Sequence, residues 1–420
     1  MHQKITLPNG VRIIYEKIDQ VRSASIGVWV MNGSRHEPKK LGGISHFIEH
    51  MVFKGTHTRT AAEIAEQMDA IGGQVNAFTT KECTCFYARV LDTHLRDAAG
   101  ILADMLFNAK FDENEVSIER GVILEEIGMY NDSPEDLVGE RLMSAVYAPT
   151  PLARPILGTA ATLRSIDGET MRKYIREYYS PEGTLISISG SFTDKDIETI
   201  AGLFSGMEGG PAKVPEKGRY TPASVVRRKS TEQNHIILAF EGPSFGSPDR
   251  YANSIMSNIL GGGMSSRLFR KVREERGLCY SIYSYISSHS DTGIFGIYTA
   301  TGKETEKHAI GLIVDVINEF LENGVSEAEL DRAREQSKAN VLLALESTVS
   351  RMNNLARGEL FIGEILPPDE IIRRYDSVTR ESVLNAARNI LDMKRISLSA
   401  VGRVETADNY LEMIRSRAKT

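Results

Sequence analysis

The chain has little cysteine and lacks any long apolar run. Its 420 residues include three cysteines, Cys83, Cys85 and Cys279. So small and odd a number argues against a disulfide framework and for a reducing compartment. No apolar stretch reaches the ~18–20 residues that cross a bilayer, and the segment from Met1 to Lys4 carries no signal-peptide core. These absences favour a cytoplasmic protein without a membrane segment.

An excess of positive charge is also absent. Lysine and arginine number 50 against 56 aspartates and glutamates, which gives a net charge of -6. This balance weighs against nucleic acid as the main partner, since binding phosphates requires clustered basic residues. The length exceeds the roughly 250–300 residues at which a single core stops growing. We therefore predict two domains and no nucleic-acid partner.

Glycine and proline concentrate at the middle of the chain, between Gly206 and Pro222. This density is typical of a linker rather than of a helix or a strand. We therefore predict a first domain over residues 1–210, a linker over 211–224 and a second domain over 225–420.

Two matching segments indicate that the halves arose by duplication. The segment Ser165–Met171 precedes the strand-like Leu185–Gly190, and 212 residues later Ser377–Val383 precedes Ile396–Gly402. A helix followed by a closing strand at one fixed offset indicates a repeated unit. The expected fold is therefore α+β, with one unit used twice.

Local patterns predict the elements of the first half. Asn9-Gly10 between two β-branched runs predicts a hairpin, and a helix is expected to start near Gly43. The pattern of apolar residues predicts a strand over Gln74–Val90. It also predicts three helices, over 61–71, 93–107 and 112–147. Cys83 and Cys85 alternate along the strand, and we interpret both as core packing rather than metal or redox chemistry.

One helix carries three polar side chains that metal chemistry uses. Its sequence His-Phe-Ile-Glu-His spans residues 46–50. At about 100° per residue, His50 lies about 40° from His46, and Glu49 about 60° on its other side. Two imidazoles so placed can bind one Zn²⁺, and the carboxylate beside them can take a proton from water. The alternative is a chance pattern, but apolar neighbours favour the metal, because buried polar groups need a partner.

A catalytic zinc site needs a third protein ligand, and an acidic helix downstream offers one. Glu119 and Glu126 are seven residues apart, which places them about 20° from each other on a helix. Glu125 lies about 120° from Glu119 and is expected to be solvated. We therefore interpret Glu126 as the third ligand and Glu119 as the neighbour that orients a ligand.

The segment Gly42–Thr56 resembles the active-site helix of the pitrilysin-type inverzincin zinc peptidases. The resemblance is closest to the β subunit of mitochondrial processing peptidase and its bacterial homologues, and it extends over almost the whole chain. It includes the Glu-Arg-x-Val-Ile-x-x-Glu block that ends at Glu126, 76 residues beyond His50. The resemblance implies two duplicated domains, each a mainly antiparallel sheet packed against helices. It also implies one Zn²⁺ per chain on His46, His50 and Glu126, with Glu49 as general base.

The resemblance further implies residues that bind the substrate. Gly73–Thr79 resembles an edge strand onto which an extended peptide is laid, a mode that binds many sequences. The residues expected to contact the peptide there are Asn76, Ala77 and Phe78. Asn76 would bind near the scissile bond; the alternative is an ordinary turn-strand junction.

A pair of residues in the second half resembles the arginine and tyrosine that this family uses to bind substrate and stabilise the tetrahedral intermediate. Arg273 and Tyr280 stand seven residues apart, and a guanidinium and a phenol are suitable donors to a developing oxyanion. The alternative is a helix-to-strand corner with a surface arginine and a packed tyrosine.

The second half has no copy of the metal motif. Asn253–Gly263, in the place of the active helix, contains no histidine or glutamate, so this half resembles the family's non-catalytic domain. Larger members enclose a chamber with four such domains, which implies a homodimer here, with Arg273 and Tyr280 acting in trans. The glycine-rich loop of the processing peptidase α subunit is reduced to Gly261–Ser266, so removal of targeting peptides is not implied.

The sequence thus predicts a zinc metalloendopeptidase that hydrolyses oligopeptides or unfolded segments. One alternative is a processing factor dedicated to one partner protein. Another is a non-catalytic assembly subunit of the same fold, which the four intact positions of the metal motif disfavour.

Overall fold

The computed structural model describes residues 2–418, and within them the first half forms one six-stranded sheet. Its strands are β1 Gln3–Thr6, β2 Arg12–Lys17, β3 Ser23–Val30, β4 Gln74–Thr79, β5 Thr84–Leu91 and β6 Thr184–Gly190. They lie in the order β1-β2-β6-β3-β5-β4. The β2–β6 pair is parallel and the other pairs are antiparallel. The predicted hairpin at Asn9-Gly10 is confirmed as the β1–β2 connection.

The second half forms a five-stranded sheet within the described residues. Its strands are β7 Ser224–Arg228, β8 Asn234–Glu241, β9 Cys279–Ser288, β10 Gly293–Thr301 and β11 Ser397–Gly402. They lie in the order β7-β11-β8-β10-β9, with β7–β11 parallel and the other pairs antiparallel.

Helices lie at the same places in the chain order of both halves: after β3 and β8, between β5 and β6 or β10 and β11, and after β6 and β11. In the first half they are α1 Ile44–Met51, α2 Ala61–Ala70, α3 Leu95–Asn108, α4 Glu113–Asp132, α5 Pro134–Val146, α6 Ala160–Leu163, α7 Gly168–Tyr178 and α8 Asp194–Phe204. In the second half they are α9 Arg250–Gly261, α10 Glu306–Asn323, α11 Glu327–Ala344, α12 Thr348–Arg357, α13 Pro368–Asp376, α14 Arg380–Ile390 and α15 Ala407–Arg417.

Both sheets share one topology. Strands β7 to β11 follow each other in the chain and in the sheet as β2 to β6 do, and β1 is an addition to the first sheet. Helix α9 follows β8 as α1 follows β3, so it takes the place of the motif helix, as predicted. The duplicated fold, with a mainly antiparallel sheet packed against helices in each half, is confirmed.

The single strand expected over Gln74–Val90 is wrong, because the structure has two strands joined by a tight turn. The turn residues are Thr80-Lys81-Glu82-Cys83, and the Thr80 hydroxyl accepts hydrogen bonds from the backbone N–H of Glu82 and of Cys83 at 3.1 and 3.0 Å. A side-chain oxygen that bonds the backbone two and three residues on stabilises such a turn. No glycine or proline marks it, so the sequence pattern did not separate β4 from β5.

The single helix expected over 112–147 is also wrong, since it breaks at Ser133-Pro134. Proline has no N–H to donate to the preceding turn, so it is tolerated in the first turn of a helix and not in its interior. Pro134 is the first residue of α5, and the Ser133 side chain caps that helix by accepting from Asp136 N at 3.3 Å.

The chain divides into two compact units that are not the two continuous segments expected from the sequence. The first unit contains residues up to Ile127, Arg154–Glu216 and Leu343–Ile365, and the second contains Gly128–Ala153, Lys217–Leu342 and the residues from Leu366. One division falls between Glu216 and Lys217, inside the predicted linker over 211–224. Within the described chain no helix or strand lies between α8 and β7.

Each unit contains one helix from the opposite half of the sequence. In the second unit α5 packs on β8 and β11, with Val138 and Leu142 in a buried cluster that includes Ile237. In the first unit α12 packs on β3 and β6, where Ser187 Oγ donates to the Met352 carbonyl at 2.7 Å. Sequence periodicity shows that such a helix has an apolar face but not which sheet covers it, so continuous domains were expected.

The cysteines are buried and reduced, as the interpretation of core packing requires for Cys83 and Cys85. Both lie in an apolar cluster with Trp29 in the first unit. Burial raises the pKa of the Cys83 thiol to about 11, so it is protonated and unsuited to metal binding at neutral pH. Separately, none of the helices within residues 2–418 is long and apolar enough to span a bilayer.

Candidate metal centre

Helix α1 begins on a glycine that no other residue can easily replace. Gly43 has φ +94°, in the left-handed region that glycine adopts without strain. A Cβ there would lie 2.7 Å from the Leu157 carbonyl oxygen. This close packing places Ile44, Phe47 and Ile48 in the core of the first unit. The opposite side of α1 carries the polar motif residues.

A buried carboxylate caps the start of α1. Glu37 Oε2 accepts from Gly43 N at 2.7 Å, and Oε1 accepts from Ser45 N at 2.9 Å. Helix N-termini have unpaired N–H groups that favour such an anion. Burial nevertheless raises the pKa of Glu37 to about 7, against the hydrogen bonds that lower it. Sequence reasoning missed Glu37, because it lies seven residues before the helix and no local capping pattern includes it.

The Glu37→Gln variant is expected to remove one pH dependence of stability. Because the folded-state pKa of Glu37 is raised, the folded state holds this proton more tightly than the unfolded chain does. The contribution of Glu37 to the free energy of unfolding is therefore largest below about pH 4.5. It declines as the pH rises to about 7 and does not change at higher pH. The decline amounts to roughly 3 kcal/mol.

Urea unfolding of both proteins at pH 5 and pH 8, followed by the fluorescence of the single Trp29, measures this effect. The advantage of the wild type over Glu37→Gln should be greater at pH 5 than at pH 8. Equal differences at the two pH values would show that the Glu37 carboxyl does not titrate in this range.

The structure brings together the three residues predicted as metal ligands. Ligand atoms of His46, His50 and Glu126 lie within 4.8 Å of one another. The two Nε2 atoms are 3.2 Å apart, and Glu126 Oε2 lies 3.6 Å from His46 Nε2 and 3.8 Å from His50 Nε2. Side-chain exposure is 9% for His46, 21% for His50 and 30% for Glu126, so the cluster opens on the Glu126 side.

This donor set fits a tetrahedral zinc ion. Two nitrogens bound to such an ion at 2.0–2.1 Å are about 3.3 Å apart, close to the observed 3.2 Å. Burial, and to a lesser degree the neighbouring His50, lowers the pKa of His46 to about 4, so its imidazole is neutral at pH 7. Glu126 Oε2 is buried without a hydrogen-bond partner among residues 2–418. Two imidazole nitrogens and an unpaired carboxylate oxygen thus converge on one point, which is the donor set that a zinc ion requires.

Glu119 contacts the back of the cluster, as predicted. Its Oε1 lies 2.8 Å from His50 Nδ1, and its Oε2 forms an ion pair with Lys54 Nζ at 2.6 Å. Burial favours a higher pKa of Glu119, but the hydrogen bonds from Lys54 and His50 outweigh it and lower the pKa. An ionised Glu119 accepts a hydrogen bond from His50 Nδ1–H, which leaves the lone pair of His50 on Nε2 facing Glu126.

Lys54 was missed as part of this arrangement. It stands four residues after His50, and a spacing of four places two helical side chains on one face. That spacing is a signal in the sequence, although α1 itself ends at Met51 and Lys54 lies in the short 3₁₀ turn that follows. Glu125, predicted to be solvated, is exposed.

Glu49 lies beside the cluster and contacts the end of β4. Thr79 Oγ1 donates to Glu49 Oε2 at 2.6 Å. Burial raises the pKa of Glu49; the hydrogen bond from Thr79 acts in the opposite direction, and the nearby negative Glu126 adds to the rise. Glu49 Oε1 accepts no hydrogen bond from the part of the chain that the structure describes. Sequence reasoning missed this contact, because Thr79 lies on a strand and has no periodic relation to the helix of Glu49.

Strand β4 is an edge strand, as expected, and it pairs with β5 on one side. Asn76 Oδ1 accepts from Ala77 N at 2.8 Å, so this N–H does not bond to β5. The Phe78 ring packs edge-on against Trp29, with centroids 5.3 Å apart, and against Tyr87 at 6.1 Å. The Phe78 side chain is thus partly committed to packing, whereas the backbone of Ala77 lies at the open edge.

In the second unit, Arg273 and Tyr280 lie close together. The Arg273 guanidinium lies over the Tyr280 ring at 5.5 Å and over the Phe269 ring at 4.6 Å. Arg273 belongs to a π-helical turn, Phe269–Glu274, and π-helical turns are frequent at functional sites. Tyr280 lies near the start of the edge strand β9, with 74% of its surface exposed. Its hydroxyl is therefore accessible to a ligand.

Two family descriptions match the sequence. "Insulinase (Peptidase family M16)" matches residues 12–160, and "Peptidase M16 inactive domain" matches residues 165–337. The uncharacterized zinc protease YmxG of Bacillus subtilis (strain 168) is 44% identical over 391 residues, which cover 93% of this chain and 96% of that protein. An uncharacterized zinc protease of Streptomyces coelicolor is 38% identical over 410 residues, 95% of this chain and 89% of that protein.

Solved structures share the fold. The peptidase M16 inactive domain from Pseudomonas fluorescens superposes with a TM-score of 0.90 at 21% identity, over 96% of this chain and 99% of that one. A protease from Helicobacter pylori gives a TM-score of 0.88 at 20% identity, with the same coverage of 96% and 99%. At this identity the likeness shows the architecture.

Proposed function

Because the chain belongs to the insulinase family of peptidases, family M16, we propose that it is a zinc metalloendopeptidase of oligopeptides or unfolded segments. The observation that carries this proposal is that a cluster of potential metal ligands lies beside a carboxylate and an open strand edge. Three converging ligand atoms, of His46, His50 and Glu126, lie beside Glu49, and Glu49 contacts the end of the open strand β4.

His46, His50 and Glu126 would bind one Zn²⁺ per chain. When bound, the ion would supply a Lewis acid and lower the pKa of water towards 7. Glu119 would orient His50 by accepting a hydrogen bond from its Nδ1–H, so the His50 Nε2 lone pair is available as a ligand. Lys54 neutralises the charge that Glu119 adds behind the site.

Glu49 is proposed as the general base and acid. Its Oε2 is engaged by Thr79, whereas Oε1 is free of hydrogen bonds from residues 2–418. Oε1 would therefore take the proton of the attacking water and later deliver it to the leaving amine. Both proton transfers need a carboxylate that can gain a proton and lose it again. A glutamine side chain at this position could carry out neither transfer.

The peptide substrate is proposed to add to β4 as a further strand. Backbone N–H and C=O groups at an open edge can pair with any extended segment. Such pairing has little selectivity for the sequence of that segment. The Ala77 N–H now bonds to the Asn76 side chain, which would have to turn away when a peptide carbonyl takes its place. Asn76 is then free to bind the peptide near the scissile bond.

Arg273 and Tyr280 are proposed to bind substrate and stabilise the tetrahedral intermediate from the second chain of a homodimer. A phenol and a guanidinium are suitable donors to a developing oxyanion. Their clustering on the second unit, with the tyrosine exposed, supports a role in binding. We place the protein in the cytoplasm, with neither nucleic acid nor membrane as partner.

Mixing two inactive variants is expected to restore activity if Arg273 and Tyr280 act in trans. Co-expressed Glu49→Gln and Tyr280→Phe chains form mixed dimers in which one of two sites has both residues intact. With random pairing, roughly one quarter of wild-type activity should return. Each variant alone is the control, and a mixture no more active than the better variant would place the pair in cis.

Cleavage of an unrelated quenched peptide library, together with metal analysis, tests the proposed function itself. The expected result is one zinc per chain and cleavage of many library members, with activity lost on chelation. Cleavage confined to one partner protein would instead support a dedicated processing factor. Binding of zinc without cleavage of any peptide or protein would support a non-catalytic assembly subunit.

A further inference from the structure

The strand that would bind the peptide also carries the hydrogen-bond donor to the general base. We propose that Thr79 is a positioning residue: its side chain orients the Glu49 carboxylate, while its own backbone lies at the open edge of β4. Adding a peptide to β4 would then fix the orientation of Glu49. This inference rests on the proposed peptidase function.

The direction of the hydrogen bond between Thr79 and Glu49 follows from its acceptor. Thr84 Oγ1 lies 3.4 Å from Thr79 Oγ1 and donates its one proton to the Asn32 carbonyl at 2.9 Å. The Thr79 proton goes to the shorter contact, Glu49 Oε2 at 2.6 Å, because an ionised carboxylate oxygen can only accept a hydrogen bond. A hydrogen bond to an ionised acceptor is stronger than one between neutral groups.

The backbone of Thr79 faces away from β5. Residues of an antiparallel strand alternate between those that bond to the neighbour and those that face the other way. Thr80 N donates to the Cys83 carbonyl at 2.8 Å, which sets the alternation. Val75, Ala77 and Thr79 then direct their N–H and C=O groups to the open edge. The Ala77 N–H agrees with this, since its partner is Asn76 Oδ1.

The Glu49 carboxylate needs such an orienting contact. Apart from the bond to Thr79, no hydrogen bond to its oxygens is present in the described chain, so its rotation depends on that donor. The negative Glu126 nearby repels it. Without the Thr79 hydroxyl, the carboxylate would be free to turn, and Oε1 would spend less time in position to take a proton.

Thr79→Val and Thr79→Ser separate the hydroxyl from the rest of the side chain. Valine keeps the volume and the strand preference of threonine, and serine keeps the hydroxyl. We expect Thr79→Val to lower kcat by roughly 10-fold or more, with zinc content and KM near wild type. Thr79→Ser should restore kcat to within about threefold of wild type. In the Glu49→Gln background, Thr79→Val should have no further effect on kcat.

The measurements are kcat, KM and bound zinc on a quenched peptide that the wild type cleaves. Wild-type kcat in Thr79→Val would overturn the proposal while leaving the peptidase function intact. So would a rise in KM with unchanged kcat, which would make Thr79 a residue of peptide binding alone. A kcat as low in Thr79→Ser as in Thr79→Val would show that a hydroxyl at this position does not restore the rate, and it would also overturn the proposal. If the wild type cleaves no peptide, the proposed function fails, and this inference with it.

Discussion

Glu49→Gln is expected to reduce kcat/KM by about 10²–10⁴-fold, the range that a positioned general base contributes, while bound zinc stays at the wild-type level. Glutamine has the size of glutamate, and its amide oxygen can still accept from Thr79, so the local structure should persist. It cannot take a proton from water at neutral pH. The loss should therefore fall on the chemical step and not on metal binding, since Glu49 is not one of the converging ligands.

The matched control for this variant is Glu125→Gln. It makes the same chemical change on α4 next to Glu126, but Glu125 is exposed, and activity should stay within about twofold of wild type, as is usual for surface substitutions. Peptide cleavage and metal content would be measured on all three proteins. A Glu49→Gln protein that cleaves at a normal rate would contradict the proposed mechanism, and one that loses zinc would indicate that Glu49 supports metal binding.

Gly158→Ala is expected to lower the free energy of unfolding of the first unit by about 3–5 kcal/mol. Gly158 has φ +70°, where a residue with a Cβ is strained. A Cβ there would also lie 2.2 Å from the Gly42 carbonyl oxygen. Backbone atoms cannot move aside as a side chain can, so the segment that leads into α1 would have to shift. We expect a weaker affinity for zinc as well, because His46 follows three residues after Gly43.

Gly72→Ala provides the matched control for Gly158→Ala. Gly72 has φ +62°, but nothing lies within 4 Å of the position that a Cβ would occupy there, so alanine should cost about 1–2 kcal/mol from the backbone conformation alone. Urea unfolding followed by the fluorescence of Trp29 reports on the first unit, where this residue is buried. Equal destabilisation by the two variants would show that the contact with Gly42 is not the source of the effect.

The helical phase of nearby residues was enough to predict most of the candidate metal centre. His46 and His50 are placed by one turn of helix, and Glu119 and Glu126 by two turns of another. Both pairs therefore point the same way whatever the tertiary structure is. What the phase cannot give is the distance between the two helices. That distance depends on packing in the core, and the structure supplies it through the 2.8 Å contact between His50 and Glu119.

Helical phase could not identify the residues that contact the motif helix from a loop or from a strand. Glu37 caps α1 from a loop, and Thr79 reaches Glu49 from a strand 30 residues on. Their roles arise from the tertiary fold, and neither has a periodic relation to the motif. The same limit applies to the packing of the Phe78 ring against Trp29, which depends on the register of β3 and β5; that Phe78 also contacts the peptide stays a prediction.

The exchange of α5 and α12 has a consequence for how the polypeptide can be divided. The chain passes from one compact unit to the other five times, and the glycine- and proline-rich segment is one of these passages. A fragment that ended there would lack α12 and leave the face of its sheet around Trp29 and Leu185 uncovered. Each fragment cut at this point would lack the helix that covers its own sheet, and a protease nick between Gly206 and Pro222 would leave four connections intact.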